Sequence, residues 1–135
     1  MNTIKINQLK FPNRPISKVE PDLVDLSKPI IIDQNNNIID GVYRVKAAMK
    51  LGRIQIPYER FVYDPKKIKT SVEWHKKYSQ FRIVLKIGTR KFRSDWTNNH
   101  SIARLDFGDL TYIAVSDYWD GLLEANCVYT VSKSS

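Results

Sequence analysis

At Asp40-Gly41 the apolar pattern of the chain changes period, and this limits the folds open to it more than any other feature. Upstream, Pro29 to Asp33 is a β-branched apolar run. Gln34-Asn35-Asn36-Asn37 has turn composition and leads into the short pair Ile38-Ile39, so the segment reads as a hairpin. Downstream, Val42, Val45, Ala48 and Met49 recur at helical spacing, and Gly52 stands where a C-terminal cap belongs. A helix over about 42–51 is therefore expected directly after a strand, with Gly41 turning the backbone tightly between them.

The flanking segments follow the same rules. Thr3 to Asn7 alternates as a half-buried strand should. Ser17 and Glu20 have capping-box spacing and Leu23 with Leu26 forms an i, i+3 stripe, which predicts a short helix at about 18–27. Ile54 to Val62 reads as a strand in which Pro57 argues for an edge position or a bulge. After a weak boundary at Asp64-Pro65-Lys66-Lys67, a short helix is expected through Val72–Lys77. Phe81, Ile83, Leu85 and Ile87 then alternate with Arg82, Val84 and Lys86, a strand with cationic outer positions. Further strands are expected at about 102–107, 110–117 and 126–132, separated by the turn pairs Gly108-Asp109 and Asp120-Gly121.

Composition removes several classes. The chain has 135 residues, 42% of them hydrophobic, enough for one compact domain or a small domain with an extension. Its longest apolar run ends at Asp33, far short of the roughly 18 residues of a membrane span. Met1 to Lys10 lacks the apolar stretch of a secretory signal, so the cytoplasm is the expected compartment. Cys127 stands alone and reads as a small core residue, while His75 and His100, without zinc-ligand spacing, read as surface or packing residues.

Charge points to an anionic partner. Twenty-two Lys and Arg against 14 Asp and Glu leave +8. The excess is concentrated: residues 65–104 hold 11 basic and 2 acidic side chains, whereas residues 105–135 hold 1 and 5. Lys66, Lys67, Lys69, Lys76, Lys77, Arg82, Lys86, Arg90, Lys91 and Arg93 are interleaved with Trp74, Tyr78, Phe92 and Trp96. Such a mixture binds nucleic acid by counterion release and base stacking; the simpler reading is a solvated basic face over a buried aromatic core. A hairpin tip at Gly88-Thr89-Arg90-Lys91 is expected to hold its donors close together. The acidic, aromatic segment Asp117 to Glu124 reads either as a partner-docking loop or as core.

The strand-turn-helix at Gly41 offers a second anion site. The helix would begin with free amide donors and a positive dipole end, and Arg44 in its first turn can clasp phosphate oxygens bidentately. In the simpler reading Gly41 only makes the turn, Asp40 caps the helix, and Arg44 pairs with a carboxylate.

The order strand, Asn-rich turn, Ile38-Ile39-Asp40-Gly41-x-x-Arg44-x-x-Ala47-Ala48-x-x-Leu51-Gly52, then Ile56-Pro57, resembles the N-terminal nucleotide-binding domain of the ParB/sulfiredoxin superfamily over about residues 3–64. The resemblance implies an α+β fold: a ParB/sulfiredoxin-like domain with a small mixed sheet at 1–64, and a basic, then β-rich extension at 65–135 packed on it. It implies nucleotide or backbone phosphate held by Gly41, Val42, Tyr43 and Arg44, a nucleoside triphosphate with Mg2+ as cofactor, and DNA as partner. A phosphohydrolase or nuclease of this kind would use Glu20 and Asp40 as metal or base groups, with Asp22 and Asp25 nearby, and Arg44 to stabilise the transferred group. Sulfiredoxin chemistry is excluded, because the turn carries no Cys. The single arginine and the lack of a following helix-turn-helix pattern depart from the chromosome-partition members. The alternative is a non-catalytic regulator or inhibitor of phage or plasmid origin that binds a host protein or nucleic acid.

Overall fold

The computed structural model describes residues 2–12, 20–119, 122–124 and 128–132. Contacts divide the chain into two compact units, residues 1–63 with 107–109, and residues 64–106 with 110–135.

In the first unit β1 (Thr3–Lys5) leads through a 3-10 turn (Ile6–Gln8), and after a second one (Pro21–Leu23) come β2 (Ile30–Ile32), β3 (Ile38–Asp40), α1 (Val42–Lys50) and β4 (Gln55–Arg60). The sheet order is β1-β4-β2-β3, with β2 and β4 parallel and the other pairs antiparallel. A parallel pair needs a crossover, and the chain from β3 through α1 supplies it. The helix therefore lies on the sheet against β2 and β4. Val45 and Ala48, one turn apart, are fully buried with Ile30, Ile32 and Ile56, while Tyr43 and Met49 on the other side are exposed.

Pro57 lies in β4, which is flanked by β1 and β2, not at the edge of the sheet. Tyr58 N donates to Asn2 O at 3.1 Å and Ile6 N to Ile54 O at 2.9 Å, so the intervening Thr3–Pro57 pair is a non-hydrogen-bonded one. The proline nitrogen thus faces the β2 side, where pairing begins only at Tyr58. No ladder donor is lost.

The Asn-rich turn is organised by Asp33, whose side chain is fully buried. Its Oδ1 accepts from the backbone N–H groups of Asn35 (2.8 Å) and Asn37 (2.9 Å), and Asn37 Nδ2 donates to Oδ2 at 3.0 Å and to Asp109 Oδ1 at 2.9 Å. Asn35 Nδ2 donates to Asp109 Oδ2 at 2.7 Å, and Arg60 Nη1 to the Asp33 carbonyl at 2.7 Å. Gly108 is at φ +61°, and a Cβ there would collide with the Tyr63 hydroxyl, so a side chain at this position has to displace that ring from its place beside Asp33.

The second unit opens with a 3-10 turn (Pro65–Lys67) and continues as β5 (Lys69–His75), a 3-10 turn (Lys76–Tyr78), β6 (Gln80–Ile87), β7 (Arg90–Arg93) and β8 (Thr97–Asn98). Then follow β9 (Ile102–Phe107), β10 (Leu110–Val115), β11 (Asp117–Trp119), β12 (Leu122–Glu124) and β13 (Val128–Ser132). β6 is the spine: β5 pairs along one edge, while β7 and then β8 share the other. β13, β10 and β9 form a second sheet, and β11 pairs with β12. Phe81, Ile83 and Leu85 on β6 are fully buried, as are Ala103 on β9 and Ala114 on β10.

The α+β expectation is overturned. Among the described residues there are thirteen strands and one α-helix, and the fold is β-rich. Two expected helices account for the difference. Over 18–27 the only helical piece among the described residues is the Pro21–Leu23 turn, because Asp25 Oδ1 accepts from both the backbone N (3.0 Å) and the Oγ (2.5 Å) of Ser27 and diverts the chain; Leu23 is exposed, and Ser17 lies outside the described residues. Over 72–77 the segment is the end of β5 and a 3-10 turn, since Val72 and Trp74 follow period two once Thr70 is included. Asp117 to Glu124 contributes β11 and β12 rather than a plain loop. Cys127 lies outside the described residues.

Candidate functional site

In the first unit, Gly41 adopts φ +95° and ψ 23° as the N-cap of α1, and a Cβ there would stand 2.8 Å from Ile30 Cγ2. The sharp turn is thus fixed by both conformation and close approach. No side chain caps the helix, so Asp40, exposed at the end of β3, does not act as its cap. Arg44 does not pair with a carboxylate: its Nη1 donates to the Pro29 carbonyl at 3.0 Å, and no Asp or Glu lies within ion-pair distance among the described residues. The guanidinium is pinned beside Gly41, 3.1 Å from where a Cβ would be. Val42 is buried and offers only its backbone to this turn, while Tyr43 is half exposed.

The carboxylates are more dispersed. Glu20 is exposed just ahead of the Pro21–Leu23 turn, which packs against α1. It caps nothing with its side chain. Asp25 feels Arg44: its carboxyl titrates below the ordinary value of 3.8, chiefly through the hydrogen bonds from Ser27, with Lys28 and Arg44 adding to the effect. Among the described residues no three of His, Cys, Asp and Glu converge in a group that could hold a metal ion.

In the second unit the register sorts the ten basic residues. Residues opposite one another in an antiparallel pair share a face. Lys69 pairs with Lys86 and Lys86 with Lys91, so three lysines form one row across β5, β6 and β7. The next row is Ser71, Val84 and Arg93, and the next Glu73 and Arg82. Five cations therefore share this face with one carboxylate. Glu73 is taken by its ion pair with Arg82 and by Arg93 at 3.9 Å, while the lysine row has no acidic partner among the described residues.

Arg90 points to the opposite face, opposite Ile87 and over the Phe92 ring at 5.6 Å, so the hairpin tip separates Arg90 from Lys91 rather than gathering them. Lys66 and Lys67 belong to the turn before β5, Lys76 and Lys77 to the turn after it.

At the far end of the cationic face lies an aromatic cluster. β7 stops where Ser94 Oγ accepts from Ile83 N at 2.9 Å, and β8 resumes pairing at Phe81. In that gap the Arg82 guanidinium stacks on the Trp96 ring at 4.0 Å, and His75 meets the edge of Trp96 at 5.5 Å and the ring of Tyr78 at 4.7 Å. Tyr78 is 59% exposed. The sequence singles out these lysines, Arg82, Tyr78 and Trp96 as one basic, aromatic set, but with 72–77 expected as a helix it does not align the lysines in a row or bring His75 to the rings. Alternation from Lys69 to His75 was the signal that reveals them.

No family model matches the chain, and neither a curated protein nor a solved structure matches it. No helix of the described residues is long and apolar enough to cross a membrane.

Proposed function

We propose that this protein binds nucleic acid through the cationic face of the β5-β6-β7 sheet. The observation that carries the reading is the row Lys69–Lys86–Lys91. Like charges placed directly opposite in a sheet destabilise it by roughly 0.2–1 kcal/mol per pair. Three in a row without a carboxylate is an arrangement that a polyanion compensates. Phosphates laid across the row release counterions and remove the mutual repulsion of the lysines. Cytoplasmic location suits such a role.

The test is anisotropy of a labelled oligonucleotide with the intact chain and with Lys69→Ala, Lys86→Ala and Lys91→Ala combined. The triple variant is expected to lose at least about tenfold in affinity near 0.1 M salt. Unchanged affinity overturns the reading.

A second reading rests on a separate observation, the uncapped start of α1 with Arg44 fixed beside Gly41. Those amides and that guanidinium suit a single phosphate group, as the likeness to ParB-type nucleotide domains implies. Nucleoside triphosphates that bind the folded chain must raise its melting temperature, and Arg44→Ala is expected to remove that shift. The same melts with Mg2+ added or chelated show whether a metal accompanies the nucleotide.

A further inference from the structure

We infer that the ligand of the β5-β6-β7 face is single-stranded rather than duplex nucleic acid, with bases stacking on the aromatic cluster around Tyr78. This rests on the reading just given. Strand axes lie about 4.8 Å apart, so the outer two of three strands are roughly 10 Å apart before side chains are counted. A duplex major groove is about 12 Å wide and admits a helix or a two-stranded ribbon. The three-stranded face is too broad to enter it, and meets a duplex only at backbone phosphates.

Position supplies the second step. The lysine row lies at Lys86 and the aromatic end at the His75–Gln80 pair, six residues along β6, or about 20 Å at the usual strand rise. Along that line the face changes from bare cations to rings. Arg93 and Arg82 lie between, both drawn to Glu73, and at the aromatic end Lys77 Nζ lies 5.3 Å from the centre of the Tyr78 ring. A duplex keeps its base faces stacked inside and leaves such rings unused. A single strand can lay phosphates on the lysines and bring unpaired bases to Tyr78, an exposed residue whose ring contacts His75 and has Lys77 Nζ 5.3 Å from its centre, where that ammonium can meet the adjoining phosphate. Trp96, held under the Arg82 guanidinium, fixes the wall against which the first base rests.

The chain's own rings therefore discriminate between the two forms. The exposure of Tyr78 makes it the safest probe, because it stands outside the Arg82–Trp96 stack and outside the buried residues of β6.

The experiment measures binding of the intact chain to a labelled oligothymidylate of about 20 nucleotides and to a blunt duplex of the same length, for the unaltered chain, Tyr78→Ala and Tyr78→Phe. Single strand is expected to bind at least about tenfold tighter than duplex. Tyr78→Ala should lose about five- to a hundredfold on the single strand with duplex affinity unchanged, and Tyr78→Phe, which keeps the ring, should restore it. Equal affinity for both forms, or equal loss on both in Tyr78→Ala, overturns the single-strand inference while leaving the basic-face reading intact. Binding to neither form overturns both.

Discussion

Gly41 shows how much one position can decide. Its φ of +95° costs an L-residue roughly 1–2 kcal/mol, and Ile30 Cγ2 leaves no room for a methyl group. Gly41→Ala should therefore lower the unfolding free energy by about 2–3 kcal/mol in urea titration. A loss under half a kcal/mol would mean that the turn relaxes freely. Asp25 presents the opposite case, an exposed carboxyl whose environment is local. Its pKa is depressed in the folded chain, so the stability it contributes is present above the unfolded value near 3.8 and is lost as pH falls through the folded one. Ser27→Ala removes the main cause. The Asp25 titration followed by NMR should then move up toward 3.8, and no movement would refute the assigned cause.

At the scale of elements, the lysine row makes stability and binding pull in opposite directions. Lys86 stands between Lys69 and Lys91, so Lys86→Glu turns two repelling pairs into two attracting ones. It should stabilise the fold by about 0.5–1 kcal/mol, seen as a higher melting temperature, while weakening nucleic-acid affinity. A lower melting temperature would show that the row is not under repulsion. This behaviour rests on register, which is also where sequence reasoning reached its limit. The helix after Gly41 and the hairpin before it were readable, because their periods are long enough or their turn residues distinctive enough to settle the pattern. β6 was readable for the same reason. β5 was not, since Val72-Glu73-Trp74-His75-Lys76-Lys77 taken alone fits a helical turn as well as a strand, and only pairing with Phe81 and Ile83 resolves it. Misreading one strand left the basic and aromatic residues recognised as a set but not arranged, because the row and the cluster depend on which residues lie opposite β6. The role of Asp33 was hidden differently: its network runs through Asn37 to Asp109, more than seventy residues farther along the sequence.

Across the whole molecule the charge is not shared equally in kind. The first unit holds ten basic and seven acidic side chains, the second twelve and seven. The totals are similar, so net charge does not single out the binding unit; arrangement does. Five cations of the second unit lie on one sheet face with one carboxylate, and three of them are uncompensated. Salt dependence measures that number directly. Each phosphate neutralised on a single strand contributes about −0.7 to the slope of log affinity against log salt concentration. Three lysines give about −2, and engagement of Arg82 and Arg93 as well gives about −3.5. Anisotropy titrations from about 0.05 to 0.3 M salt should fall between those limits for the intact chain, and the combined lysine variant should lie about 2 closer to zero. A slope near zero in the intact chain would remove electrostatics from the interaction, and with it the role assigned to this face. A slope much steeper than −3.5 would mean that cations beyond the sheet, such as Lys66, Lys67, Lys76 and Lys77 in the turns flanking β5, also reach the phosphates. In that case the footprint extends past both ends of the strand, and alanine substitution of each flanking pair should return about 1.4 of the excess.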